Sequence, residues 1–213
     1  MRIAIPKGCL QEKALRMFDA AGYPVPDELD LASRRLVFRR GAVEWILVKD
    51  CDVPVYVEHG AADAGIAGLD QLLEHDSTAY QPVDMPFGRC TLALITAAGA
   101  QGLTSASTAT IATKYPRITR SWLEQRGHRA EIIPLGGSVE LAAVLGLTSH
   151  VVDLVETGET IRTHGLEIEE TIAAISPRLI VGKDIYRTNP GGARELIERV
   201  RQAVGSEERV CAF

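Results

Sequence analysis

The stretch "VVDLVETGETI", residues 151–161, indicates the fold class of this chain. It begins with an apolar run that carries Asp153 and ends at Glu156, which predicts a buried strand. The chain then turns through Thr157 and Gly158 into a helical segment. A strand that leads through a short polar turn into a helix is typical of an α/β fold, in which ligands bind beyond the carboxyl ends of the strands.

The same turn is a candidate phosphosugar site. Its glycine lets the backbone approach a ligand closely, and free N–H groups at a helix start favour an anion. Glu156 is placed to accept hydrogen bonds from sugar hydroxyls, so the turn suits a ribose 5-phosphate. The local pattern fits equally well a turn in which Thr157 or Thr160 serves only as the N-cap of the helix.

Strand and helix signals alternate along the rest of the chain. Strands are predicted at residues 2–6, 35–38, 44–49, 62–68, 83–85, 92–96, 110–113, 130–134 and 151–155, with one or two more within 168–181. Helices are predicted at residues 10–21, 51–60 with Asp52 as cap, 69–74, 116–126, 138–145 with Ser138 as cap, and 191–204. This order predicts two α/β halves, and the short apolar strands favour largely parallel sheets.

Composition and charge exclude several classes of protein. The chain has 213 residues, of which 46% are hydrophobic and 24% charged, a balance that can bury a core. A net charge of −5 argues against a protein held to nucleic acid by bulk charge. Glycines and hydroxyl residues interrupt the long uncharged stretch at 91–113, and the N-terminal apolar run is too short for a signal peptide. These features predict a cytoplasmic protein with no membrane span.

The cysteines predict free thiols rather than a structural site. Cys9, Cys51, Cys90 and Cys211 form no CxxC pair, and the five histidines have no metal-ligand spacing with them. The sequence therefore predicts no metal site built from protein ligands.

Two further strand-to-helix turns carry anion-binding candidates. Lys7, within "IAIPKG" at residues 3–8, lies beside the first amides of a helix, where charge and N–H groups both attract phosphate. A solvated surface lysine is the alternative explanation. The Gly-Gly-Ser turn that ends at Ser138 is also able to cradle a phosphate, although most such turns are only turns. Glu140 follows in the first helical turn, where the helix dipole favours a carboxylate without any function.

Taken together, these segments resemble the ATP phosphoribosyltransferases, which catalyse the first step of histidine biosynthesis. The matching stretches occur in the family's order over residues 1–183: "IAIPKG", "SRRL", "DVPVYVEHGAADAGIAGLDQLLE", "PFGRC", "IATKYPRI", "EIIPLGGSVELAAVLGL", "VVDLVETGETIRTHGL" and "ISPRLIV". The resemblance implies transfer of the 5-phosphoribosyl group of phosphoribosyl pyrophosphate to N1 of ATP, with release of pyrophosphate. It implies that Mg²⁺ enters as a substrate-bound ion that accompanies the pyrophosphate.

The resemblance also implies an architecture. Two α/β domains of periplasmic-binding-protein-like (type II) architecture are expected, with the active site in the interdomain cleft. Residues 1–90 and 181–213 would form the domain on the ATP side, and residues 91–180 the domain on the phosphoribosyl pyrophosphate side.

The resemblance assigns roles to the candidate residues. It implies that phosphoribosyl pyrophosphate is bound by Asp153, Glu156, Thr157, Gly158, Glu159 and Thr160. It implies that the catalytic cations facing the phosphates of ATP or the leaving pyrophosphate are Lys7, Arg16, Arg34 and Lys49, and that Asp70, Ser138 and Glu140 contact the nucleotide. The chain departs from the family at Cys9 and Leu69, where an arginine and a lysine are usual. Both departures remove positive charge near the expected ATP site.

The chain length implies the short form of the family. Short forms act as homodimers joined to a regulatory subunit that resembles a histidyl-tRNA synthetase, through which histidine inhibits. An alternative from another class is a two-lobed small-molecule sensor or solute-binding domain, because "ADAGIAG" at residues 62–68 occurs in a similar setting there. The lack of an export signal and the phosphosugar character of residues 157–160 favour the enzyme.

Overall fold

The computed structural model describes residues 1–27, 34–97, 102–103 and 109–210, except for the side chains of 207–210. Ser33 of the "SRRL" stretch and the thiol of Cys211 lie outside the described residues. The chain forms two compact units, unit 1 (Met1–Gly88 with Ser176–Phe213) and unit 2 (Arg89–Ile175). The chain passes from unit 1 to unit 2 after Gly88 and returns to unit 1 at Ser176.

The described residues of unit 1 form a six-stranded sheet and five α-helices. Its strands are β1 (Arg2–Pro6), β2 (Val37–Arg40), β3 (Val43–Val48), β4 (Ala64–Gly68), β5 (Tyr80–Asp84) and β11 (Pro177–Val181). Its helices are α1 (Gln11–Ala20), α2 (Val53–Glu58), α3 (Leu69–Glu74), α7 (Lys183–Thr188) and α8 (Pro190–Val210). The strand order is β2-β3-β1-β4-β11-β5, in which β1 runs parallel to β3 and β4.

The sheet of unit 1 is buried on both faces. Ile3 and Ile5 pack with α1 and α8, whereas Ala4 points to the other face and packs with α2 and α3. Successive side chains of a strand point to opposite faces, so a strand covered on both sides has a continuous apolar sequence. On the α1 side the rings of Phe18 and Trp45 meet edge to face, with their centroids 5.3 Å apart.

In unit 2, the residues that the structure describes form a five-stranded sheet and three α-helices. Its strands are β6 (Cys90–Ala97), β7 (Ala109–Thr113), β8 (Ala130–Pro134), β9 (His150–Val155) and β10 (Leu166–Ile175). Its helices are α4 (Pro116–Arg126), α5 (Glu140–Val144) and α6 (Glu159–Thr163). The strand order is β10-β6-β9-β7-β8, in which β9, β7 and β8 are parallel to one another and β6 and β10 are antiparallel to their neighbours.

Both sheets are mixed, so the prediction of largely parallel sheets is wrong. The hairpin between β2 and β3 turns at Gly41, with φ of +56°, and a link this short can join only antiparallel strands. In unit 1 β11 is antiparallel to both β4 and β5. Apolar strands covered on both faces have the same composition in either direction, so composition did not reveal the mixed order.

Of the two predicted helix caps, Asp52 is the N-cap residue of α2, whereas the prediction of Ser138 as the cap of α5 is wrong. Asp52 lies in a 3₁₀ turn, Asp50–Asp52, and makes no side-chain cap hydrogen bond to α2. Ser138 adopts a left-handed backbone, with φ of +48°, and the N-cap of α5 is Val139. In the described part of the chain, no helix is both long enough and apolar enough to cross a membrane.

Candidate functional site

The parallel strands of unit 2 bring two distant loops together. Thr113 of β7 pairs with Pro134 of β8 and with Val152 of β9, so the carboxyl ends of all three strands lie at one edge of the sheet. The turns that follow β8 and β9 therefore lie at the same edge, which is where open α/β sheets bind ligands. We call the residues at this edge, namely 114, 135–140, Asp153 and 156–160, the unit 2 edge.

The phosphosugar turn is anchored by one buried side chain and presents polar groups. Ile161 is 8% exposed and packs in the core with Ala112 and Val151, so α6 is fixed against the sheet. Just before it, the side chain of Thr160 is exposed. No hydrogen bond to its hydroxyl is formed within the described residues. This hydroxyl is therefore available to a ligand.

Gly158 is the N-cap of α6, with φ of +71°, and no side chain caps this helix. Thr157 Oγ1 accepts only a long hydrogen bond, 3.4 Å, from the N–H of Glu159. Since neither Thr157 nor Thr160 caps α6, the capping explanation does not account for the two hydroxyls.

The end of β9 is tied firmly to β7. Thr113 Oγ1 donates to the carbonyl of Val152 at 2.8 Å and accepts from the N–H of Tyr115 at 2.9 Å. Asp153, one residue further along β9, is partly buried, and its Oδ1 accepts from the N–H of Leu154 at 2.8 Å. The strand thus holds Asp153 in place beside the turn.

Lys114 is a cation of the unit 2 edge that the sequence analysis did not assign to the site. It follows β7 directly and precedes Tyr115, which is 2% exposed and anchors the backbone there. The stretch "IATKYPRI" places it immediately after an apolar strand, a position that does not by itself distinguish it from a surface lysine.

The Gly-Gly-Ser turn occupies the same edge. Val139, 1% exposed, and Ala142 pack in the cluster that also holds Ile161, so α5 and α6 cover one face of the sheet. Ser138, just before Val139, is exposed and has a left-handed backbone, a strained conformation that is common in ligand-binding loops. Glu140 is the first residue of α5 and is half-buried.

A matching edge exists in unit 1, at the carboxyl ends of β3, β1 and β4. Pro6 pairs with Val48, and the N–H of Lys7 donates to the carbonyl of Val48 at 2.8 Å. Lys7 and Lys49 therefore follow neighbouring parallel strands. Both side chains are exposed, and neither forms an ion pair within the part of the chain that the structure describes. We call Lys7, Gly8, Lys49 and Asp70 the unit 1 edge.

Asp70 is the buried member of the unit 1 edge. It lies two residues after β4, is 6% exposed and accepts a hydrogen bond at 2.7 Å from Nε2 of Gln71. A Cβ on Gly68 would lie 2.1 Å from Asp70 Oδ1, so this carboxylate fills the place that any side chain at position 68 would need. Its packing indicates that Asp70 also shapes the backbone between β4 and α3.

The two predicted arginines are placed differently. Arg16, on α1, pairs with Glu12 one turn earlier, and about three quarters of each side chain is exposed. Arg16 and Gly8 line the same open groove of about 670 Å³. Arg34 precedes β2 and is exposed.

His150 is a buried titratable residue that lies away from both edges. His150, at the amino end of β9, is 3% exposed, and burial lowers its pKa from 6.5. The carboxylate of Glu169, 3.3 Å from Nε2, opposes that shift.

Across the described ranges, no cluster of three or more His, Cys, Asp or Glu side chains is arranged to hold a metal ion. Among the described residues, Cys9, Cys51 and Cys90 form no disulfide bond.

Comparison with solved structures defines the class first. The chain is similar in fold to a putative L-cystine ABC transporter protein from Listeria monocytogenes, with a TM-score of 0.61 at 10% identity, over 97% of this chain and 89% of that one. It is also similar to Tv2483 bound to L-arginine, with a TM-score of 0.59 at 11% identity, over 98% and 85% of the two chains. The predicted type II periplasmic-binding-protein-like fold is confirmed.

The chain belongs to the ATP phosphoribosyltransferase family. The family model HisG: ATP phosphoribosyltransferase matches residues 49–202. The chain is 41% identical to the ATP phosphoribosyltransferase of Geobacter metallireducens, over 96% of this chain and 98% of that protein. It is 40% identical to that of Oceanobacillus iheyensis, over 95% and 98%. The ATP phosphoribosyl transferase (HisG:HisZ) complex from Thermotoga maritima contains a chain with a TM-score of 0.86 at 33% identity, over 97% of this chain and 99% of that one.

These comparisons confirm the predicted activity. The chain is a phosphoribosyltransferase of histidine biosynthesis that acts on ATP, and the sensor or solute-binding alternative is not favoured.

Proposed function

We propose that the unit 2 edge binds phosphoribosyl pyrophosphate and that the unit 1 edge binds phosphates of ATP or of the leaving pyrophosphate. The observation that carries this proposal is the turn at 156–160. Its Thr160 hydroxyl and Glu156 carboxylate are exposed and uncommitted within the described structure, while Ile161 fixes the turn against the core. Thr157, Gly158 and Thr160 bind the 5-phosphate, Glu159 belongs to the same phosphoribosyl-binding turn, and Glu156 and Asp153 face the ribose hydroxyls.

The proposed residues fit the charge changes of the reaction. The N1 lone pair of adenine forms a bond to C1 of the ribose while the bond from C1 to pyrophosphate breaks, so that C1 is inverted and the bonding pair leaves with pyrophosphate. Positive character develops on the ribose, where Asp153 and Glu156 stabilise it. Negative charge grows on the leaving group, where Lys7 and Lys49 stabilise it.

We infer that Mg²⁺ arrives with phosphoribosyl pyrophosphate as part of the substrate. Mg²⁺ prefers oxygen ligands, keeps several waters and is usually held through substrate phosphates with one or two carboxylates. The oxygen-rich unit 2 edge, with Asp153 and Glu156, is compatible with such an ion. When bound, Mg²⁺ neutralises charge on the departing pyrophosphate.

The remaining candidates take supporting roles in this proposal. Arg16 and Arg34 add positive charge on the ATP side, which matters because Cys9 and Leu69 stand where family members usually carry cations. Asp70 orients the backbone after β4 near the nucleotide, Ser138 and Glu140 give it polar contacts, and Lys114 adds a cation to the unit 2 edge.

We propose that the chain forms a homodimer that joins a HisZ-like regulatory subunit. Support comes from the Thermotoga maritima relative, whose solved structure is a HisG:HisZ complex. Size-exclusion chromatography with light scattering should give a dimer for the chain alone and a larger species with the partner. A monomer that fails to co-elute with the partner would contradict this part of the proposal.

The activity is tested with purified protein, ATP, phosphoribosyl pyrophosphate and Mg²⁺, with and without the regulatory partner. Formation of the N1 adduct is followed by ultraviolet absorbance, and the omission of phosphoribosyl pyrophosphate is the control. Absorbance should rise only with both substrates present. Absence of the adduct under both conditions would overturn the proposed reaction for this chain.

A further inference from the structure

A second cationic feature of unit 2 lies at the sheet edge opposite to the unit 2 edge. Helix α4 begins just after β7 and ends at Arg126, next to the amino end of β8. Between the last turns of α4 and the first residues of β8 is a pocket of about 290 Å³. Its lining includes Arg120, Leu123, Glu124, His128, Arg129 and Ile132.

The arginines near this pocket fall into two groups. Arg126 forms an ion pair with Glu170, so its charge is already matched. Arg120 and Arg129 are exposed, and no carboxylate of the described residues lies within ion-pair distance of either. Two guanidinium groups thus line one pocket together with a single carboxylate, that of Glu124, which gives the pocket a net positive charge.

Two aromatic rings lie at the wall of the pocket. His128 lies in the pocket wall, and its Nδ1 is buried with no hydrogen-bond partner within the described structure. The ring of Trp122, 6% exposed, lies behind it with a centroid distance of 6.3 Å, and its Nε1 is likewise buried and unpaired. These buried ring nitrogens lie behind the pocket surface, so a ligand that changes the packing of the wall should change their environment.

We propose that this pocket binds a small phosphate-bearing anion. Guanidinium groups match the oxygens of phosphate with paired N–H donors, and Arg120 and Arg129 supply two of them. The volume is close to the lower end of small-molecule sites, about 300 Å³, so it suits a phosphate or a small phosphorylated compound. Because α4 and β8 place the pocket at the amino end of the strands, it is separate from the proposed catalytic turn, and the inference does not rest on the proposed function.

The fluorescence of Trp122 provides a test on the intact chain. Inorganic phosphate is titrated against chloride at matched ionic strength, and a saturable change in tryptophan emission is expected that is absent in Trp122→Phe, which retains Trp45. Arg120→Gln and Arg129→Gln should each raise the half-saturating phosphate concentration roughly tenfold or more, as expected for loss of hydrogen bonds to a charged group. Circular dichroism checks that these surface variants fold.

Two controls separate this pocket from other phosphate contacts. Arg126→Gln removes a neighbouring arginine that is already paired, and Thr160→Val alters the proposed catalytic turn. Both variants should have the same half-saturating phosphate concentration as the unmodified chain. Loss of the response in Thr160→Val would assign it to the unit 2 edge and overturn the proposal, as would equal responses to phosphate and chloride.

The imidazole of His128 gives a second readout. Its ¹⁵N resonances should shift with phosphate in the unmodified chain and not in the double variant Arg120→Gln/Arg129→Gln. A His128 ring that does not respond to phosphate, together with silent Trp122 emission, would refute the site.

Discussion

Replacement of Thr160 by valine tests the proposed phosphate-binding turn with little disturbance to the fold. Valine has the shape of threonine but lacks the hydroxyl, and no hydrogen bond of the described structure uses that hydroxyl. The backbone carbonyl of Thr160, which accepts from the N–H of His164 at 3.2 Å, is unaffected. We therefore expect the free energy of unfolding to change by no more than about 0.5 kcal/mol, as is usual for a surface substitution.

The expected effect on the substrate is much larger. A hydrogen bond to a charged phosphate contributes about 1.5–3 kcal/mol. Since every 1.4 kcal/mol is about tenfold in affinity, Thr160→Val should weaken the binding of phosphoribosyl pyrophosphate roughly 10- to 100-fold. The affinity for ATP should remain within about twofold, because ATP does not contact this hydroxyl in the proposed arrangement.

Isothermal titration of each substrate alone measures the two affinities separately. Thr163→Val is the matched control, since the Thr163 hydroxyl donates to the Glu159 carbonyl at 2.9 Å within α6 and has no proposed ligand. Equal weakening of both substrates by Thr160→Val, or the same loss in Thr163→Val, would refute the assignment of Thr160 to the 5-phosphate.

Three further predictions concern other parts of the molecule. Lys7→Gln and Lys49→Gln should each raise the KM for ATP or lower kcat roughly tenfold, because each removes a cation from the proposed phosphate site, and thermal unfolding should not change because both side chains are exposed. Steady-state kinetics at two salt concentrations measures both constants, and unchanged kinetics in both variants would exclude these lysines from the site. Gly158→Ala should lower the free energy of unfolding by about 1–2 kcal/mol because φ is +71°, and no clash should add to this cost because no heavy atom lies closer than 3.6 Å to the new Cβ. Urea unfolding measures the change, and an unchanged midpoint would argue against the left-handed cap. Burial lowers the pKa of His150 below 6.5, so the unfolded chain binds more protons and this residue should destabilise the fold progressively as the pH falls below 6.5. Between pH 7.5 and 5.5, urea unfolding should show a larger loss in the free energy of unfolding for the unmodified chain than for His150→Gln. Glu169→Gln removes the opposing charge and should make that loss larger still.

Strongly periodic elements were predictable from sequence. α3 begins and ends where the apolar spacing placed it, at Leu69–Glu74, and so does α4 at Pro116–Arg126, which Gly127 terminates in a left-handed conformation. In these segments proline, glycine and apolar spacing all favour the same structure. Local sequence is a sufficient guide where no tertiary contact opposes it.

Features that depend on tertiary contacts were not predictable. Ser138 is a favourable N-cap residue, yet its positive φ moves the start of α5 to Glu140, because the buried positions Val139 and Ala142 fix the helix against the sheet. β11 runs antiparallel to β4 and β5, and the residues of β11 alone do not determine that direction.

The candidate site likewise contains residues that local sequence predicts and residues whose proximity depends on tertiary structure. The residues of the phosphosugar turn are contiguous, so one motif was enough to select them. The proximity of Lys7 to Lys49 depends on the pairing of β1 with β3, and only the structure shows that their strands are neighbours. Lys114 was missed because nothing local distinguishes a lysine after a strand from a surface lysine.

Hydrogen–deuterium exchange with single substrates tests the central claim most directly. With phosphoribosyl pyrophosphate and Mg²⁺ alone, the amides of residues 156–161 should be protected, because the turn closes on the 5-phosphate. With ATP alone, those amides should exchange as in the free chain. Protection of residues 156–161 by ATP but not by phosphoribosyl pyrophosphate would contradict the account.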